Sequence, residues 1–229
     1  MKRLSSMIFL TLILSAISAR SEIIPVPLDR TNGWQFLHYR KIPANKFRST
    51  TNGLEIAVTN SAAPAVFPLT NSPPVAELRA SGTISGSLKV PSDKQGQKGF
   101  DDYTVRIGLV EAGNRTLSRP EKITAADWVK KLFALAPPGT GIGKIHFFNV
   151  GTDRKQIGKS RTHPLSDLME EKIIAVPDSS GNFAFTNRLS QAMKVVAVWI
   201  SCDGDDTKSS FAVTLKKVEL ETKPAARKK

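Results

Sequence analysis

The amino-acid sequence predicts an all-β fold: a β-sandwich or jelly roll of antiparallel strands that carries one helix. Two observations lead to this class. Short segments with alternating or continuous apolar residues recur along the chain, separated by residues typical of turns. Only one segment, by contrast, combines helical spacing with a start and a stop signal. Many short strands with a single helix are typical of sandwiches and jelly rolls.

The strands are predicted from apolar patterning, which is clearest in two segments. Leu54, Ile56 and Val58 alternate with polar or small residues and point to one face. Residues 195–201 are apolar on both faces, as expected of a central strand. In chain order, strands are predicted at 34–40, 54–59, one or two within 75–90, 103–110, 145–150, 172–176, around 183–185, 195–201 and 211–220.

Two further features lie between and within these strands. Residues 60–74 and 92–99 are predicted to be loops, because they are rich in polar and turn-forming residues. In the last strand the apolar phase changes across Lys216 and Lys217, which indicates a β-bulge.

A single helix is predicted at about residues 124–136. Thr124 and Asp127 resemble a capping box at its start, and a Pro-Pro-Gly sequence follows its end. Three apolar residues share one face at helical spacing, which predicts that the helix packs against the sheet. They are Trp128, Leu132 and Leu135.

The first 21 residues are predicted to be a signal peptide. Lys2 and Arg3 precede an apolar segment at 7–17, which is shorter than the roughly 20 residues that a membrane-spanning helix needs. Small residues precede Glu22, as a cleavage site requires. We therefore expect an exported protein, periplasmic or secreted, with no transmembrane segment in the mature chain.

Cleavage would leave one β-sandwich domain at 22–221 and a basic disordered tail at 222–229. The full sequence has a formal charge of +13; residues 1–21 carry three basic side chains and no acidic one, which leaves +10. A basic exported protein can favour an anionic envelope polymer. Nucleic acid is not expected as a partner, because the basic residues are dispersed and not interleaved with aromatic ones.

Cys202 is the only cysteine, so no intrachain disulfide can form and a packed core must provide the stability. Because Cys202 follows the most apolar strand, we expect a buried, unreactive thiol.

An acidic loop follows this strand and contains Asp203, Asp205 and Asp206. Carboxylates this close repel one another unless solvent, a cation or a basic side chain compensates. Calcium is the candidate cation, because it accepts clustered carboxylates from loops. The alternative is a solvated hairpin turn, since the later ligands of an EF-hand loop are missing.

A second acidic pair, Asp101 and Asp102, precedes the strand that begins at Tyr103. The two acidic strand ends could meet at one rim and form a sugar or cation site. Adjacent residues of a strand point to opposite faces, so only one of the pair is expected to enter such a site. Sugar rings stack on aromatic faces, for which the candidates are Trp34, Trp128, Trp199, Tyr39 and Tyr103; for Trp34 and Trp199 the alternative is a position in the core. The candidate ligand-binding residues are Trp34, Asp102, Tyr103 and Arg106.

No catalytic residue is assigned. Residues 82–86 differ from a nucleophile elbow because the serine lies one position late. Residues 137–144 differ from a phosphate-binding loop because the lysine is followed by isoleucine and a strand. The histidines lack metal-binding spacing, and His163 is expected to be exposed in a loop.

Three short motifs occur together: Trp34 followed by Lys-Ile-Pro at 41–43, the Asp-Asp-Tyr sequence at 101–103 leading to Arg106, and the late apolar strand with its acidic loop and last strand at 195–220. In this combination the chain resembles an uncharacterised family of exported bacterial β-sandwich proteins. The resemblance implies a sandwich of the kind seen in carbohydrate-binding modules and supplies no known activity.

The preferred hypothesis is a non-catalytic exported sandwich that binds a glycan or another envelope component. The alternative is a polysaccharide hydrolase or lyase that pairs Asp102 with a carboxylate of the 203–206 loop. A third possibility is a structural role without a small ligand.

Overall fold

The computed structural model describes residues 21–164 and 166–224. The predicted signal peptide, apart from Ser21, and the last five residues of the predicted tail lie outside these ranges. Within them the chain forms twelve strands, two short α-helices and one 3-10 turn, so the all-β prediction is confirmed.

The first six strands are β1 (Ile23–Pro25), β2 (Gln35–Phe36), β3 (Lys46–Thr50), β4 (Gly53–Thr59), β5 (Ala62–Pro68) and β6 (Pro74–Ser87). Next come β7 (Val105–Gly113), α1 (Arg119–Thr124), α2 (Asp127–Phe133), β8 (Gly141–Val150) and the 3-10 turn Arg154–Gln156. The last four strands are β9 (Ser160–Thr162), β10 (Met169–Ala175), β11 (Asn182–Asp203) and β12 (Ser210–Thr222).

These strands form two sheets that share β11. Sheet A has the order β3-β4-β12-β6-β11, and β1 pairs with the end of β12. Sheet B has the order β2-β5-β11-β7-β8-β10-β9. The pairs are antiparallel except for β8 and β10, which are parallel. A parallel pair needs a long crossover, and here the crossover at 151–168 carries β9 to the edge of sheet B.

The 22-residue strand β11 joins the two sheets. Residues 182–194 pair with β6 in sheet A, whereas residues 195–203 pair with β5 and β7 in sheet B. The register with β7 shifts between Val195 and Ala197, which marks a bulge where the strand enters sheet B. The two segments predicted around 183–185 and at 195–201 are therefore one continuous strand.

The main core lies between the two sheets. It contains side chains of sheet A such as Ile56 and Leu215, and side chains of sheet B such as Ile107 and Ile200, each with no exposed surface. Cys202 belongs to this core, and burial raises the pKa of its thiol well above the usual range, as expected of an unreactive residue.

A second apolar cluster covers part of the opposite, outer face of sheet B. Leu132 of α2 is buried in it, and Trp128 and Leu135 pack against it. The prediction that these three residues face the sheet is therefore confirmed. Sheet B is covered on one face by sheet A and on part of the other by α2.

The predicted single helix at 124–136 is wrong in detail, because two short helices occupy this region. Ser118 and Glu121 form the true capping box at the start of α1, and Thr124 is the last residue of that helix. Ala125 and Ala126 then adopt extended backbone angles, which interrupts the helix before α2.

Three strand predictions also change. Residues 60–74 were predicted to be a loop, partly because of their prolines, but they contain β5. Pro64 is tolerated in this strand because it lies near the edge of the sheet, beside the two-residue strand β2. The predicted strand 34–40 is reduced to β2, whereas β6 runs without a break through Gly82. The bulge near Lys216 is confirmed by the register shift between Leu215 and Lys217.

Candidate functional site

The candidate site lies on the outer face of sheet B. From Val198 onward, alternate residues of β11 point into the main core, so Trp199, Ser201 and Asp203 point outward. On the neighbouring strand Gly108 leaves room for an aromatic ring: a Cβ atom there would lie 2.8 Å from the ring of Phe147. Phe147 can therefore lie over β7 and reach Trp199.

A cavity of about 500 Å³ opens on this face, within the range of small-molecule sites. Its lining contains two sets of side chains, which we call the aromatic wall and the charged wall. The aromatic wall consists of Tyr39, Trp128, Phe147 and Trp199, and the charged wall of Asp101, Asp102, Arg106, His163, Asp203, Asp205 and Asp206.

The aromatic wall is a chain of four rings in edge-to-face contact. Tyr39 and Trp128 have ring centroids 5.8 Å apart, Trp128 and Trp199 are 5.9 Å apart, and Phe147 and Trp199 are 5.8 Å apart. Trp199 and Phe147 are buried, whereas Tyr39 and Trp128 are half-buried. The indole N–H of Trp199 is buried and has no hydrogen-bond acceptor among the described residues.

Arg106 is the centre of the charged wall. Its Nη1 lies 2.5 Å from Glu171 Oε1, its Nε lies 2.7 Å from Asp203 Oδ2, and its Nη2 donates to the carbonyl oxygen of Asp101. The guanidinium also stacks on Tyr103, with Cζ 4.5 Å from the ring centroid. The carboxylate of Asp101 also lies 3.3 Å from Nη2, through its Oδ1, so the buried guanidinium is balanced by carboxylates from three separate segments of the chain.

A second arginine and a histidine extend this cluster. Arg161 Nε donates to Glu171 Oε2 over 2.6 Å, and its Nη2 pairs with Asp101. His163 Nε2 lies 2.9 Å from Asp101 Oδ2. Although burial alone would raise the pKa of Asp101, His163 and the two arginines lower it to about 2.

The carboxylates on the other side of Arg106 behave in the opposite way. Burial, with the nearby charges of Asp102 and Asp205, raises the pKa of Asp203 to about 7 despite its contact with Arg106. Burial and the same kind of repulsion also raise the pKa of Asp205. This corner of the cavity contains more negative charge than its basic groups compensate.

Asp102 has a structural task in this arrangement. Its carboxylate accepts hydrogen bonds from the backbone N–H of Asp206, at 3.4 Å, and of Thr207, at 2.8 Å, and from the Thr207 hydroxyl, at 2.6 Å. Asp102 is only 1% exposed. It holds the 203–207 loop against the residues that precede β7.

The predicted site residues are therefore partly brought together. Asp102 and Arg106 border the cavity, and Tyr103 lies behind Arg106. Both Asp101 and Asp102 reach the cavity, so the expectation that only one would do so is wrong: they precede β7, and strand alternation does not apply to them. Trp34 lies elsewhere, in the core between the sheets, where its Nε1 donates to Pro27 O at 2.8 Å.

The predicted calcium ligands border the cavity without converging. Within residues 21–164 and 166–224, the group whose potential ligand atoms lie within 4.8 Å of one another is Asp101, His163 and Glu171. The two carboxylates of this group form ion pairs with Arg106 and Arg161, and the positive charges of these arginines oppose a metal ion there.

Several site residues were missed by sequence reasoning. Arg161 and His163 come from the crossover between the parallel strands, and Glu171 comes from β10. His163 was expected to be exposed, yet its side chain is only 12% exposed. No local pattern marks these residues, because the parallel pairing of β8 and β10 is what brings them to Arg106.

Comparison with known proteins adds little. No protein-family model matches this sequence, and neither does any curated protein. Among solved structures, similarity is found to a xylan-binding module (11% identity, 90% of this chain and 100% of that one, TM-score 0.39). A family 11 carbohydrate-binding module of a Clostridium thermocellum cellulase is also similar (12% identity, 92% and 99%, TM-score 0.40). TM-scores below 0.5 carry no information about the ligand of this chain.

Within the described part of the chain, no helix has the length and apolar character needed to cross a membrane.

Proposed function

We propose that the cavity on the outer face of sheet B binds a glycan and that the protein acts as a binding module in the cell envelope or outside the cell. The observation that supports this proposal is the combination of an aromatic wall and a carboxylate wall in one open cavity. The extracellular setting rests on the predicted signal peptide.

Each wall suits one half of a sugar's chemistry. The faces of a sugar ring carry C–H groups, which pack on the exposed parts of Trp128 and Tyr39 as other apolar surfaces do. Its hydroxyl groups can donate hydrogen bonds, and the carboxyl oxygens of Asp205 and Asp206 can accept them. The unpaired N–H of Trp199 supplies a donor for a sugar oxygen.

The hydrolase alternative is less well supported. It pairs Asp102 with a carboxylate of the acidic loop, but the Asp102 oxygens accept the N–H and O–H groups of that loop. A carboxylate whose oxygens accept these hydrogen bonds is not free to act as the acid or nucleophile that cleaves a glycosidic bond.

The test is a glycan array probed with the purified protein, followed by calorimetry on the glycans that bind. We expect the Trp128→Ala variant to bind at least about tenfold more weakly, a loss of about 1.4 kcal/mol, and Trp128→Phe to retain most of the affinity. Ile123→Ala is the matched control, because Ile123 is 79% exposed on α1 and does not border the cavity. Silence across a broad array, or unchanged binding by Trp128→Ala, would falsify the proposal.

A further inference from the structure

We infer that the cavity selects glycans with free, protonated amino groups over neutral or acidic glycans. This inference rests on the proposed function and names the ligand class of the same site.

The charge around the cavity is opposite to that of the whole protein. The sequence has a formal charge of +13, yet five carboxylates and one guanidinium border the cavity, together with His163. The carboxylates are those of Asp101, Asp102, Asp203, Asp205 and Asp206. An acidic polymer drawn to the basic surface would be repelled at this cavity, whereas a cationic group would be attracted.

Three of these carboxylates have no basic partner among the described residues, and two of the three are also not occupied in holding the loop. Asp101 and Asp203 pair with arginines, and Asp102 holds the loop. Asp205 and Asp206 form no ion pair with a described residue, and Asp206 accepts only a long 3.4 Å hydrogen bond from the Asp101 N–H. A ligand ammonium group placed between them would supply the missing positive charge.

The aromatic wall is an independent indication of a ligand. Trp199 is 1% exposed and lines the cavity, and its indole N–H lacks an acceptor among the described residues. A buried donor without a partner is rare and calls for an explanation, which a ligand oxygen provides. Trp128 and Tyr39 face the same space, and their rings attract a cation as well as a sugar face. Together, the rings and the unpaired aspartates match a sugar ring that bears an ammonium group.

The inference is tested by calorimetry with three matched tetrasaccharides: glucosamine, N-acetylglucosamine and glucose. At a pH low enough to protonate the amine and high enough to keep the acidic loop charged, we expect the glucosamine tetramer to bind at least about tenfold more tightly than the other two. This preference should shrink when salt is raised from about 0.05 M to about 0.5 M, because salt screens charge interactions.

Two variants assign the preference to the unpaired aspartates. Asp205→Asn removes a charge at constant shape, and we expect the preference for the glucosamine tetramer over the glucose tetramer to fall about fivefold, because the lost charge weakens binding of an ammonium group more than binding of a hydroxyl group. Asp206→Asn, at a more exposed position, should also lower the preference for the glucosamine tetramer. It replaces Asp205→Asn in the test if that variant does not fold. Asp29→Asn is the control, since Asp29 is exposed and lies outside the cavity.

The outcomes separate this inference from the proposed function. Equal affinity for all three tetramers overturns the amino-group selectivity and leaves glycan binding intact. Equal binding of a lysine tetrapeptide and the glucosamine tetramer overturns the assignment to glycans. Absence of binding to any glycan of a broad array overturns both proposals.

Discussion

The inner and outer faces of sheet B are built from the same strands but differ in chemistry. On β11, Val198 and Ile200 point inward to an apolar layer, whereas Trp199 and Asp203 point outward. On β7, Ile107 is part of the inner core and its neighbour Arg106 is the centre of a buried charged cluster. Because well-packed apolar residues can replace a buried ion cluster without loss of stability, folding alone does not explain the outer face. The difference fits a division in which the inner face stabilises the fold and the outer face provides the proposed glycan site.

The largest effect on the free energy of unfolding is expected when the positive charge at the centre of the outer face is removed. Arg106→Met should lower the free energy of unfolding by about 3–5 kcal/mol, because it leaves the carboxylates of Glu171 and Asp203 buried without this partner. Urea denaturation measures the change. Arg48→Met is the matched control: its ion pair with Glu55 is exposed, and we expect a loss below about 1 kcal/mol. A loss of similar size in both variants would contradict the view that the cluster is buried and tightly coupled.

A somewhat smaller effect is expected on the inner face. Ile200→Ala should lower the free energy of unfolding by about 3 kcal/mol through lost burial and a residual cavity, because Ile200 has no exposed surface. Glycan affinity of the folded variant should be unchanged, whereas Asp205→Asn should change selectivity with little effect on stability. Denaturation and calorimetry on both variants measure these effects, and loss of affinity in Ile200→Ala would break the division between the faces.

The same contrast explains what the sequence could predict. The inner face follows local patterning, so the alternation at 54–59 and the apolar run at 195–201 were sufficient to place strands and core. The outer face combines residues from distant segments. Asp102 and Arg106 were predicted from an acidic pair near a strand, but His163 and Glu171 reach them only through the parallel pairing of β8 and β10. Long-range topology of this kind leaves no local pattern.

The helix and β5 show a second limit. Thr124 resembles a helix start, but the nearby Ser118 and Glu121 form a complete capping box and begin a helix earlier. Pro64 argues against a strand in most sheets, yet a position near the edge, beside the two-residue strand β2, tolerates it. In both places the sequence pattern has its usual meaning. A complete capping box nearby decides where the helix begins, and the position of Pro64 in the sheet allows a strand.

The hydrogen bonds of Asp102 provide a third test, with a smaller expected effect, again on the outer face. Asp102→Asn replaces one acceptor oxygen with a donor that opposes the N–H groups of the loop, so we expect a loss of about 1.5–3 kcal/mol in the free energy of unfolding. Amide hydrogen exchange at Thr207 should become faster. Asp178→Asn is the control, because Asp178 accepts comparable backbone hydrogen bonds in an exposed turn, and its substitution should cost less. Unchanged exchange at Thr207 would show that Asp102 does not hold the loop.

Near neutral pH the smallest change is expected for Asp203→Asn, within about 1 kcal/mol, because the loss of the contact with Arg106 offsets the relief of a buried charge. Its effect lies in the pH dependence. In the folded protein the pKa of Asp203 is about 7, above the roughly 3.9 of an unfolded aspartate, so the folded state binds more protons between these values.

Wild-type stability therefore contains a contribution from Asp203 that is complete below about pH 4 and is lost as the pH rises towards about 7. In Asp203→Asn this loss disappears, and the difference in unfolding free energy between variant and wild type should increase with pH across that window. Asp101 has the opposite sign: with a folded pKa of about 2, it stabilises the protein above about pH 4, and this stabilisation is lost as the pH falls towards 2. Urea denaturation across a pH series measures the pH dependence of stability that arises from Asp203 and from Asp101, with Asp29→Asn as the control. Parallel pH profiles of wild type and Asp203→Asn would mean that the carboxylate is compensated by Arg106, and the excess negative charge assigned to this side of the cavity would then be smaller.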